Sequence, residues 1–100
     1  MKAYVLAHIR VLDPERMKSY SQMATPIVES FGGRYLVRGG KVDVLEGSYS
    51  HTRTVIIEFP DAAAAHAWWN STEYKDAKTL RQEIAQTDLT LVEGISAPFS

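Results

Sequence analysis

Gly32-Gly33-Arg34-Tyr35-Leu36-Val37-Arg38-Gly39-Gly40 is the stretch on which the fold turns. A glycine pair stands at each end, and five strand-type residues lie between. Upstream, Met17, Tyr20, Ala24, Ile27, Val28 and Phe31 recur at three- and four-residue spacing, one apolar helical stripe. Gly32-Gly33 therefore ends a helix in a left-handed turn. Asp13 caps its start and Pro14 suits its first position. Pro26 falls inside the pattern and predicts a kink near Gln22 rather than two helices. Arg34 to Arg38 then reads as a second strand, with Val42 to Glu46 continuing it. The intervening Gly39-Gly40 predicts a bulge.

Further out, Lys2 to Arg10 alternates with period two: Ala3, Val5, Ala7 and Ile9 on one face, Tyr4, Leu6, His8 and Arg10 on the other. Thr52 to Phe59 is a third strand, with Val55, Ile57 and Phe59 opposed to Thr54, Ile56 and Glu58. Asp61 caps an alanine-rich helix from Ala62 to Trp69, and Asn70-Ser71-Thr72 breaks it. A further helix runs from Glu73 through Gln86, striped by Ala77, Leu80 and Ile84, and Leu89 to Glu93 is a last strand. Two split βαβ halves with right-handed crossovers give a ferredoxin-like α+β fold, a four-stranded antiparallel sheet ordered fourth, first, third, second. Both helical layers lie on one side. Residues 1–96 form the single domain, and Ala97-Pro98-Phe99-Ser100 is a loose tail.

Composition narrows the function classes. Eleven Lys+Arg against 12 Asp+Glu give a net charge of -1, so there is no global electrostatic case for nucleic acid. The absence of cysteine removes disulfides, thiolate catalysis and zinc–thiolate sites. No run reaches the ~18 apolar residues of a membrane span. His8 and Arg10 interrupt the apolar N-terminus, which therefore reads as a strand and not an export signal; the expectation is a cytoplasmic protein. His8, His51 and His66 show no metal-ligand spacing, and no phosphate-cradling glycine motif opens a helix, so no metal or cofactor is expected.

Several segments resemble a known family: the Gly32–Gly40 run, Leu45-Glu46-Gly47, Arg53 through Glu58-Phe59-Pro60, Trp69, Ser71-Thr72-Glu73-Tyr74, Arg81 and Leu91-Val92-Glu93-Gly94. Together they are similar to the uncharacterised bacterial family catalogued as domain of unknown function 1330. The resemblance covers Tyr4 to Gly94. It implies membership of the dimeric α/β-barrel group, whose ferredoxin-like subunits pair through their sheets. That group includes cofactor-free monooxygenases, lactone isomerases and haem-binding or haem-degrading proteins. The family's own activity is unknown, so the resemblance implies fold and assembly and leaves function open.

Helices cover only one face of such a sheet. The other holds Tyr4, Leu6, Leu36 and Ile56, with Leu89 and Leu91 expected beside them. Four strands at ~4.8 Å and about five residues at ~3.3 Å give roughly 300 Å² of face. An apolar patch of that size predicts an interface, here a homodimer through the sheets. With Glu46 opposite His51 and a bulge at Gly39-Gly40, Arg38 comes opposite Glu58. A centred register on the first strand puts Tyr4 near Glu58 and His8 near Thr54. Glu58 and His8 are then candidate catalytic residues, and Arg38, Tyr4, Leu36, Ile56 and Trp69 candidate contacts of a small organic molecule. A carboxylate there can act as a base while Arg38 holds an anionic group or developing enolate. The alternative is structural: a cross-strand Arg38–Glu58 pair with Tyr4 and His8 hydrogen-bonded around it.

His51 reads as exposed. His66, beside Trp68 and Trp69, is similar to the helical histidines of haem-handling members of the wider group; otherwise it is a surface histidine. Tyr35, Tyr49 and Tyr74 read as packing residues, and Asp76, Lys78 and Arg81 as a solvated helix face. Three functions follow: a small-molecule binder whose catalysis, if any, is a cofactor-free oxygenation, isomerisation or enolisation; a non-catalytic interaction module; and a haem binder through His66.

Overall fold

The computed structural model describes residues 1–50 and 53–95. His51, Thr52 and the C-terminal tail, on which expectations were placed above, lie outside the described residues. The elements run β1 (Ala3–Val11), α1 (Pro14–Ser30), β2 (Arg34–Arg38), β3 (Arg53–Phe59), α2 (Ala62–Trp69), α3 (Thr72–Ile84) and β4 (Ala85–Glu93). The strands form one antiparallel sheet in the order β2-β3-β1-β4, the ferredoxin-like arrangement.

Local chemistry fixes the helix ends. The side chain of Asp13 accepts from the Arg16 N–H, that of Asp61 from Ala64 and that of Ser71 from Tyr74. Each satisfies a donor that the first turn leaves open. α1 runs unbroken through Pro26, while the Thr25 hydroxyl donates to the Ser21 carbonyl at 2.7 Å. It ends as its glycines predict: Gly33 N–H donates to Val28 O, Gly32 N–H to Glu29 O, and Gly32 takes φ +84°.

The core lies between the helices and one sheet face. Val5, Ala7 and Ile9 of β1 and Val55, Ile57 and Phe59 of β3 meet Met17, Ala24, Val28, Ala65, Trp68, Tyr74, Ala77 and Ile84. Trp68 stacks at 5.5 Å on Phe59 and at 4.5 Å on Tyr74, which gives the core a rigid aromatic centre.

Four expectations are corrected. Val42 to Glu46 is not a strand: it forms no ladder, and Leu45 is 95% exposed. Gly39, at φ +74°, turns the chain out of the sheet while its N–H donates to Thr54 O. β2 therefore stops at Arg38. The bulge lies earlier: Tyr35 pairs with Ile57 but Val37 with Ile56, so Leu36 is the extra residue. β4 starts at Ala85, directly from α3, and its register sets Leu89 opposite Ala7 and Leu91 opposite Val5. Those leucines face the helices; Asp88, Thr90 and Val92 take the open face. Finally, Arg81 is only 4% exposed, and Lys78 donates to the Trp69 carbonyl with its ammonium 4.1 Å from that indole. Neither belongs to a solvated face.

Candidate functional site

The bulge at Leu36 decides where β2 delivers its charges. Arg34, before it, lies opposite Glu58 on the open face; Arg38, after it, lies opposite Val55 on the helix side. In a regular strand these two residues would share a face. Arg38 instead comes to the side of Tyr35, with its guanidinium 3.7 Å from that ring's centroid. The expected Arg38–Glu58 pair therefore does not form. Glu58 pairs with Arg34 at 3.1 Å and approaches Lys2 at 3.9 Å.

The other predicted residues divide accordingly. Tyr4 is opposite Glu58 and His8 opposite Thr54, the expected register. His8 Nδ1 is 3.5 Å from the Thr54 hydroxyl, which shares a 2.6 Å hydrogen bond with Tyr49. Tyr4, Leu6, His8, Ile56 and Glu58 thus share the open face, and Leu36, the unpaired bulge residue, is exposed. Trp69 stands apart from both Arg38 and Glu58. It lines a shallow groove of about 250 Å³ with His66, Trp68, Leu89 and Leu91. That groove is smaller than the roughly 300–1,000 Å³ of pockets that enclose drug-sized ligands.

On the helix side, Arg38 joins residues that the sequence reading did not single out. An open vestibule of about 620 Å³ is lined by Val11, Pro14, Met17, Lys18, Ser21, Gln22, Arg38, Gly39 and Arg53. Behind it lies an inner chamber of about 30 Å³, the room of one water-sized group. The two share Met17, Ser21, Arg38 and Arg53, which form the throat between them. Tyr20, Tyr35, Trp68, Arg81 and core aliphatics complete the chamber.

The electrostatics of this cleft are one-sided. Among the described residues no carboxylate lies within 4.0 Å of Arg38, Arg53 or Arg81. Nε of Arg53 and the indole nitrogen of Trp68 are buried without a hydrogen-bond partner. Arg81 Nε donates to the Tyr74 hydroxyl at 3.4 Å, and that hydroxyl lies 2.7 Å from the Tyr20 hydroxyl. Burial, with Tyr74 adding to it, pushes the Tyr20 phenol well above its ordinary pKa, so it stays protonated and able to donate. Burial also raises Tyr35, although Arg38 works against that rise. For Arg81, burial lowers the pKa, but the Tyr74 and Tyr20 oxygens outweigh it and the net shift is upward. The cleft holds three guanidiniums and several neutral donors on apolar walls. It is built to receive acceptors.

Two of these residues carried a readable signal. Arg81 falls in the stripe Tyr74, Ala77, Arg81, Ile84, a charge at a core position of its helix. Arg53 falls in phase with Val55, Ile57 and Phe59, so alternation alone sets it on the core face. Tyr20 gave no such signal, because an aromatic in an apolar stripe reads as packing. Among the described residues no group of three His, Cys, Asp or Glu is placed to hold a metal ion. No helix among them is long and apolar enough to cross a membrane.

Solved structures share this architecture. A protein of unknown function from Rhodopseudomonas palustris superposes with a TM-score of 0.77 at 20% identity, over 96% of this chain and 84% of that one. The cofactor-independent oxygenase SnoaB from Streptomyces nogalater gives 0.68 at 12% identity, over 97% and 96%. A dimeric ferredoxin-like protein of unknown function from Jannaschia sp. CCS1 gives 0.68 at 15%, over 94% and 100%. At these identities the likeness is one of fold. No curated protein matches the chain. The model of the Domain of unknown function (DUF1330) family matches residues 2–95, and the chain belongs to that family.

Proposed function

We propose that the protein is a homodimer that binds one small organic molecule per subunit in the cleft between α1 and the sheet. The carrying observation is the throat: Met17, Ser21, Arg38 and Arg53 border both a roomy vestibule and a small inner chamber, and its two arginines face no carboxylate among the described residues. Arg53 is half-buried, and its Nε is buried without a partner, which is costly unless something answers it. A ligand does so, and Arg38 keeps its role as ligand contact in this reading. Any chemistry in the cleft is cofactor-free, of the oxygenation, isomerisation or enolisation kind. The shared fold with a cofactor-independent oxygenase supports that class without naming a reaction.

The open face supports self-association. Leu36 is 45% and Val92 47% exposed, and Leu6, Val37 and Ile56 are half-buried beside them. A dimeric ferredoxin-like neighbour supports the same assembly. In this reading Tyr4, His8, Leu36, Ile56 and Glu58 meet the second subunit, and the Arg34–Glu58 pair is a structural contact at its edge.

Light scattering at micromolar concentration tests the assembly, with twice the chain mass expected and a strict monomer counting against it. Amide chemical-shift mapping with a panel of small aromatic and aliphatic compounds tests the site. Shifts should concentrate at Met17, Ser21, Arg38 and Arg53. Shifts confined to the open face around Tyr4, His8 and Glu58 would move the site there.

A further inference from the structure

Resting on the cleft as the binding site, we infer that its ligand is a compact organic carboxylate, held by Arg38 and Arg53 at the throat. The inference comes from counting donors against acceptors. Around the vestibule and throat stand Lys18, Arg38 and Arg53; deeper in stand Arg81, the Trp68 indole and the Tyr20 hydroxyl. Among described residues the only carboxylate within 4.0 Å of any of these cations is Glu15, 3.9 Å from Lys18 at the exposed start of α1. A guest rich in donors would meet only the neutral oxygens of Ser21, Gln22 and the tyrosines, and no carboxylate among the described residues. A guest with a delocalised negative oxygen pair meets two guanidiniums whose planar forks match it.

The sizes divide the guest in the same way. The inner chamber, at about 30 Å³, admits one oxygen-sized group and no ring. The vestibule, at about 620 Å³, admits a ring or short chain against Val11, Pro14 and Met17. The carboxylate therefore lies at the throat, with one oxygen turned inward toward the buried donors. The unpartnered Arg53 Nε and Trp68 Nε1 belong to residues lining that chamber. Gly39 is part of the same device. A Cβ there would stand 2.6 Å from Arg53 Nη1, so the absence of a side chain leaves Arg53 its position at the throat.

The test uses the full chain with two isosteric probes, 1-naphthoate and 1-naphthamide, followed by calorimetric titration and amide shift mapping. The acid should bind at least about tenfold tighter than the amide, the ratio one charge-assisted pair gives. Arg38→Gln and Arg53→Gln should each bring the acid's affinity down toward that of the amide. Arg34→Gln, on the open face, should alter neither. Arg38 is exposed, so its replacement leaves the fold intact and carries the test if Arg53→Gln does not fold. Equal affinities, with both probes shifting cleft amides, would overturn the carboxylate and leave the cleft standing. Cleft amides unmoved by either probe would overturn both.

Discussion

Arg34 and Arg38 sit four positions apart on one five-residue strand and lead different lives. Arg34 is 72% exposed in its side chain and answers Glu58, which is 15% exposed, on the open face. Arg38 lies over Tyr35 on the helix side, at the mouth of a cleft without carboxylates among the described residues. One inserted residue, Leu36, separates the two. Which face of a sheet a side chain serves depends on the running count of residues along the strand, and a single bulge inverts everything after it. The same inversion leaves the Arg34–Glu58 pair on the open face and brings Arg38 to the helix side, beside Arg53.

Inserting one alanine between Val37 and Arg38 should break this contrast most severely. With the bulge kept, the added residue takes the helix side and moves Arg38 to the open face, out of the throat. We expect a stability loss of about 3 kcal/mol, at the upper end of ordinary single changes, with loss of cleft binding. Denaturant midpoints read the first, and shift mapping the second. Retained binding would show that the face taken by Arg38 does not set the site.

Gly39 and Gly40 give the next effect. Gly39→Val meets a positive φ and the Arg53 side chain, and should cost about 1–3 kcal/mol. Gly40→Val meets nothing within 4 Å and should stay within about 0.5 kcal/mol. Equal costs would contradict the placement of the turn.

The buried donors respond to pH. Tyr20 keeps its proton in the fold beyond the pH at which a free phenol loses it, about 10. Its stabilising contribution is complete below that value and lost as pH rises from there through the folded pKa, at up to ~1.4 kcal/mol per pH unit for one proton. Tyr20→Phe should remove that part of the alkaline decline in thermal unfolding followed between pH 8 and 11. An unchanged slope would place the titration elsewhere.

Arg81→Met tests whether the inner cation is kept for binding. It removes a buried charge that no carboxylate among the described residues balances, at similar side-chain volume. Stability should hold or rise by about 1 kcal/mol while ligand affinity falls. A clear destabilisation would mean that Arg81 is structural, through its contact with Tyr74.

The smallest effect is the sharpest on geometry. A double-mutant cycle of Arg34→Gln with Glu58→Gln should give a coupling of about 0.2–1 kcal/mol, the range of exposed pairs. The same cycle with Arg38→Gln should be additive, because Arg38 and Glu58 are on opposite faces. Coupling in the second cycle would contradict the bulge at Leu36.

Much of the molecule follows from local rules alone. Period-two alternation in β1 and β3 assigns their core faces, and the register of Tyr4 with Glu58 and His8 with Thr54 follows from centring two strands of similar length. Asp13 and Asp61 mark helix starts, Gly32 marks an end, and the order of elements dictates the ferredoxin-like sheet. These are decided within a few residues of chain, by sterics and by donors that need acceptors. The bulge is different. Gly39-Gly40 offered the stronger local signal, yet the extra residue is Leu36, because Tyr35 packs toward the core while Val37 pairs across to Ile56. Leu89 and Leu91 fit either face until the direct passage from α3 into β4 fixes the phase at Ala85. The cleft is likewise a tertiary product: Met17 and Ser21 of α1, Arg38 of β2, Arg53 of β3 and Arg81 of α3 stand far apart in the chain. A sequence names which residues are charged and which positions are buried in each element. Only the packed sheet and helices decide whether those charges meet one another, as Arg34 meets Glu58, or are left facing an opening, as Arg38 and Arg53 are.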